Sequence, residues 1–191
     1  MDIFSDNISP LAREILKLDA GRAYEKLVVK DLGHLPAKHL LDDVSSDHLF
    51  VEGKTPHRDP ARCVLAGLWL WHDWLDESHE VCQNIHTPEG SFLHAIMHRR
   101  EGDFSNSKYW YAKVGEHVLY PTLAVNSGQI LNRFPADKTL LRVNFNGWNP
   151  DAFVDLVESV TDLPADNEKR RAVVALQQME WRTLFDHCVR A

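Results

Sequence analysis

The chain has 191 residues, 44% hydrophobic and 26% charged, with a formal net charge of −7. That length and balance suit one domain with its own hydrophobic core and exclude a fibrous or disordered chain. The negative charge argues against broad nucleic-acid binding, which depends on neutralising phosphates with Lys and Arg.

The small basic clusters, Arg99-Arg100 and Lys169-Arg170-Arg171, read as solvated helix faces or carboxylate partners. Cys63, Cys82 and Cys188 show no C-x-x-C spacing, so they read as reduced core thiols. Met1 to Asp6 lacks a basic stretch leading into an apolar run, so no secretory leader is expected. The longest apolar run, Cys63 to Trp71, is far shorter than the ~20 residues a membrane span requires. No membrane segment and a cytoplasmic location are therefore expected.

In chain order, Ser9-Pro10 followed by Leu11, Ile15, Leu16 and Leu18 predicts a capped amphipathic helix, which Ala20-Gly21 ends or kinks. Short helices are predicted near Tyr24 to Val29 and Ala37 to Val44, then a polar loop through Gly53 and Pro56. Asp59-Pro60 starts the next helix, and the absence of Gly or Pro at 71 to 75 predicts one continuous helix from Ala61 to Ile85. Thr87-Pro88-Glu89 opens a helix that Gly102-Asp103 stops near Glu101, and another runs from Ser105 to Val114, closed by Gly115.

Pro121 to Leu131 reads as helical, and Thr139 to Asn146 as a short strand or a loop. Asn149-Pro150-Asp151 opens a helix with Phe153, Val154, Leu156, Val157 and Val160 on its apolar face. The last helix, Asp166 to Val189, carries Val173, Leu176, Met179, Leu184 and Cys188. The expected fold is all-α, a single domain of about seven helices. Residues 1–58 supply N-terminal helices and a loop, 59–117 central helical hairpins, and 118–191 a loop with two C-terminal helices.

Two central stretches share an order of residues. Gly67, then Asp73-Trp74, Ser78 and Cys82 parallel Ala95, then Asp103-Phe104, Ser107 and Tyr111, at a period of about 29 residues. The segment resembles tetratricopeptide-type helical hairpins, with Gly102-Asp103-Phe104 at the turn, Ala95 and Ser107 as small packing residues and Tyr111 as the large one. That resemblance implies close antiparallel helix pairs and a surface for a protein, a peptide or a small ligand. His94 to Asp103 also resembles a family of uncharacterised bacterial and fungal proteins, which implies no activity.

The histidines support a second reading. His94, His98 and Glu101 share one helix face at i, i+4 and i+7, and His72, Asp76 and His79 repeat that spacing on the preceding helix. A short connection makes the two helices neighbours, with His79 near the level of His98 and Asp76 near that of Glu101. Imidazoles and carboxylates from facing helices form the donor set of bundle metal centres, and zinc, iron, manganese or nickel are the candidate ions. The same residues equally suit a buried hydrogen-bonded network.

Tyr109 and Trp110 are candidates for stacking a planar ligand or for packing the core. No G-x-S-x-G, P-loop or G-x-G-x-x-G pattern occurs, which argues against a serine nucleophile and against those two modes of nucleotide binding. Two functions stand open: a helical interaction module, and a metal-dependent, hydrolase-like enzyme.

Overall fold

In the computed structural model, which describes residues 6–19, 24–135 and 137–191, the caps form where the sequence offers them. Ser9 accepts from the Ala12 amide to open α1 (Pro10–Lys17), and Thr87 accepts from Gly90 to open α5 (Pro88–Glu101). Asp103, Asn149 and Asn167 do the same for α6 (Phe104–Val114), α9 (Pro150–Val160) and α10 (Glu168–Arg190). Each cap satisfies an amide that the first helical turn leaves unpaired.

The remaining helices are α2 (Leu35–Leu41), α3 (Arg58–Trp71), α4 (Leu75–Cys82), α7 (Tyr120–Leu131) and α8 (Lys138–Arg142). Among the described residues the protein is all-α, with ten α-helices, one 3-10 turn at Ser46–Leu49 and no strand beyond isolated bridges. None of these helices is long and apolar enough to cross a membrane. The expected helix end at Ala20-Gly21 and the reading of Met1 to Ser5 lie outside the described residues.

The structure corrects several expectations. The helix from Ala61 to Ile85 is broken: α3 ends at Trp71, and Asp73 turns the chain with φ 66°. Asp is one of the few side chains that tolerate this left-handed conformation. Here it is held from outside, because Arg100 donates to the Asp73 carboxylate (2.5 Å), to Leu70 O (2.5 Å) and to Lys26 O (3.2 Å). The guanidinium thus adds a second donor to a carbonyl at the end of α3 that the Asp73 amide also reaches (3.2 Å).

Tyr24 to Val29 is not helical. Tyr24 has φ 64° and lies under the Arg100 guanidinium at 4.0 Å, while the Val29 amide bonds Arg100 O. Within Thr139 to Asn146 the chain forms α8, capped by Asp137, which accepts from Thr139 and Leu140. Ten helices stand among the described residues against about seven expected; the long central helix divides, and α8 was not expected.

Arg99-Arg100 is no solvated face, since both side chains are fully buried. Arg99 donates to Glu180 (2.5 Å) and to the Tyr111 hydroxyl (2.8 Å), and Tyr111 donates to the other Glu180 oxygen (2.7 Å). Burial works against the Arg99 charge, but Glu180 and Tyr111 outweigh it and hold the guanidinium ionised. This closed triangle ties α5, α6 and α10 together.

α10 completes the core. Trp181 donates to Gly67 O (2.9 Å) and packs on Trp71 (4.3 Å) and Phe185 (4.7 Å). A Cβ at Gly67 would sit 3.0 Å from Phe185, so glycine there admits α10 against α3. The period of about 29 residues has a counterpart in hydrogen bonds. Ser78 donates to Ala66 O (2.9 Å), and Ser107 donates to Ala95 O (2.8 Å), each across twelve residues.

Two stability predictions follow from this packing. Arg99→Met leaves Glu180 as an uncompensated buried charge and lowers unfolding free energy by about 3–5 kcal/mol in urea titration. Arg99→Met combined with Glu180→Leu recovers most of that loss; a double variant as unstable as the single one contradicts the ion-pair account. Ala95→Leu, at the Ser107 contact, costs about 1–3 kcal/mol through overpacking, and unchanged stability removes the close-packing argument.

Candidate metal centre

α5 presents His94 and His98 one turn apart, and α4 packs beside it and supplies His79. One ring nitrogen from each of the three lies within 4.8 Å of the others, the only such cluster of ligand side chains among the described residues. His94 is sandwiched, with Trp110 stacked on it at 3.8 Å and His98 at 4.8 Å. His79 meets both rings edge-on, at 4.7 and 5.6 Å between centroids.

A tetrahedral ion bound at ~2.0–2.1 Å needs its ligand nitrogens about 3.4 Å apart. The 4.8 Å limit is wider than that, and His94 and His98 stack at 22°, so at least one of those rings must turn before both lone pairs meet one ion. His79, half-buried at the edge, is the third donor.

Electrostatics keep the central ring a neutral donor. Burial lowers the His94 pKa to about 3, helped by the neighbouring His98, His79 and Lys113, so its ring is neutral near pH 7. His94 Nδ1 is buried and takes no hydrogen bond, unlike the imidazoles of a satisfied polar network. His98 Nδ1 lies 2.9 Å from Glu101 Oε2, a contact that directs Nε2 away from the carboxylate. The Asn106 side chain lies over the same ring, 3.1 Å from Nε2.

The sequence-derived candidates separate here. His79, His94 and His98 come together. Glu101, 54% exposed in its side chain, reaches the group through His98, the place of an orienting carboxylate. Asp76 is exposed in the first turn of α4 and lies outside the cluster. His72, expected on the face of His79, is carried away by the break at Asp73; it bonds Ile15 O (2.8 Å) and stacks on His34. Trp110 closes one face of His94, while Tyr109 is 55% exposed with Lys113 over its ring. The three cysteines are free and buried, and burial pushes the Cys82 thiol up to about 12.

A second cluster escaped the sequence, because Glu89, His117 and His187 stand on three separate segments. Glu89 Oε1 lies 3.4 Å from His187 Nε2 and 3.7 Å from His117 Nε2. His117 Nδ1 accepts from the Leu119 amide, so the neutral ring carries its proton on Nε2, facing Glu89. That tautomer turns an N–H toward Glu89 and opposes metal ligation through Nε2.

Comparison with protein-family models, with curated proteins and with solved structures returns no match to this chain.

His117 is the chief cause that lowers the Glu89 pKa from its ordinary 4.5 to about 2. Between those values the unfolded chain binds a proton that the folded chain refuses, so falling pH favours unfolding. The stabilisation from Glu89 is whole above pH 4.5 and is lost as pH falls through about 2. Glu89→Gln is therefore less stable than wild type at pH 6, and the gap in melting temperature narrows at pH 3. A gap independent of pH contradicts this assignment.

Proposed function

We propose that this protein is a metal-dependent enzyme whose centre is a divalent transition-metal ion held by His79, His94 and His98. The observation that carries this reading is the convergence of three imidazole nitrogens within 4.8 Å, on two packed helices. Among the candidate ions, an all-nitrogen set suits zinc, nickel and iron better than manganese, which prefers oxygen donors.

Three protein ligands leave a fourth position for water, the pattern of catalytic zinc centres, where the ion brings the pKa of bound water to about 7. Hydrolysis of a carbonyl or phosphoryl bond is the reaction class that such a hydroxide serves. Glu101 holds the His98 ring, as orienting carboxylates do behind metal-bound histidines.

The interaction-module reading draws support from the paired bonds of Ser78 to Ala66 and Ser107 to Ala95, which suit two related antiparallel hairpins, α3–α4 and α5–α6. Those hairpins bury their facing sides against each other, and they serve here as the frame that aligns the histidines.

Elemental analysis of the purified, untagged protein after dialysis is expected to find close to one equivalent of metal. His94→Ala and His98→Ala each abolish it with helix content unchanged by circular dichroism, and Glu101→Gln weakens affinity roughly 10–100-fold. A wild-type protein that retains no metal, and gains no melting temperature from added zinc, nickel or iron, overturns the proposal and assigns the histidines to a structural network.

A further inference from the structure

α7 and α10 pack together and leave a groove of about 660 Å³ between them, remote in sequence from the histidine centre. Its charged lining runs against the character of the whole chain. The protein carries a net −7, yet the groove holds Arg133, Arg182 and Arg190 against one carboxylate, Asp186, which pairs with Arg190 at 2.9 Å. Arg133 and Arg182 are exposed and have no carboxylate partner among the described residues; Arg182 lies only at the edge of the Trp71 ring, 5.9 Å from its centre. His187, at one end, is engaged by Glu89.

The arginines are spread along the groove. The contact of His117 with His187 sets the start of α7 beside the end of α10, so Arg133 lies toward the Ala175 end. At 1.5 Å per helical residue, neighbouring arginines stand about 10–12 Å apart, over a groove about 20 Å long. In an extended chain alternate side chains point to opposite faces, so carboxylates that meet this interval from one face stand four residues apart, about 13 Å, and the groove spans about six residues.

Between the charges, Asn126, Gln129 and Gln178 offer paired donors and acceptors, and Leu119, Ile130 and Met179 give an apolar floor. Side-chain amides serve an occupant with free backbone N–H and C=O groups. An extended peptide has them, whereas the middle of a helix does not.

We propose that the α7–α10 groove binds an extended acidic peptide segment of a partner protein, with carboxylates four residues apart on one face of the strand seated on the arginines. The site is independent of the metal centre, so either proposal stands or fails alone.

The test uses the full-length protein and fluorescein-labelled peptides in anisotropy titrations. Glu-Val-Thr-Val-Glu-Val-Thr-Val-Glu is expected to bind, more weakly as salt rises, and the same peptide with Lys for Glu is expected not to bind. Arg133→Glu with Arg182→Glu, both at exposed positions, weakens binding at least tenfold while leaving melting temperature and metal content unchanged. Replacing both central Val residues by Gly, which disfavours a helix and keeps every backbone N–H, leaves affinity within a few-fold. Equal binding of the acidic and basic peptides, or no effect of the charge reversal, overturns the proposal. Loss of binding by the glycine peptide overturns the extended mode and assigns the groove to a helix.

Discussion

Two adjacent guanidinium groups are sealed in the interior at the end of α5, and the rest of the architecture is arranged to satisfy them. Neither Arg99 nor Arg100 reaches solvent, and neither has the option of losing its charge. An unpaired charge at such depth costs several kcal/mol, so each must find a negative partner and carbonyl oxygens. Successive helical residues point about 100° apart, and the two side chains therefore recruit different parts of the chain. Arg99 draws in Glu180 from α10 and Tyr111 from α6; Arg100 gathers Leu70, Asp73 and Lys26. Helix order and turn position are consequences of these two demands.

This explains which parts of the fold were legible. Turns announced by local chemistry could be read: Gly102, at φ 93°, carries its conformational freedom in its own residue type, and Asp103 caps the next helix from beside it. The equivalent turn at Asp73 could not, because what stabilises it stands twenty-seven residues away on Arg100 and, on the other side, at Lys26. Local propensity favoured continuity and a tertiary ion pair overrode it. Tyr24 follows the same logic, since its left-handed backbone sets the ring beneath Arg100. The basic dipeptide looked like surface because its carboxylates are not local, Glu180 above all.

The candidate site divides along the same line. His94 and His98 sit four apart on one helix, so their shared face is a property of the sequence. His79 needed only the short link between α4 and α5 to fall beside them. His72 was placed by assuming an unbroken helix, and the Asp73 turn displaces it; Asp76 shares α4 with His79 but lies exposed in its first turn, outside the cluster. Glu89, His117 and His187 had no sequence signal, because α10 has to fold back before the third member arrives.

His98, Arg99 and Arg100 are consecutive, which joins stability and site in one helical turn. The outward imidazole is carried on the backbone that the two inward guanidinium groups immobilise. His79 is held from the same source: Arg100 fixes the Asp73 turn that starts α4, and Ser78, its immediate neighbour, is tied to Ala66 O. A metal centre demands ligands placed to within about 0.5 Å, and side chains on locked helices meet that demand better than side chains on loops. Burying two arginines is expensive for a chain of this size unless their charges are paired, and here both are paired although each Nε stays without a hydrogen-bond partner. Their partnering also aligns three histidines whose nitrogens would otherwise have no reason to converge.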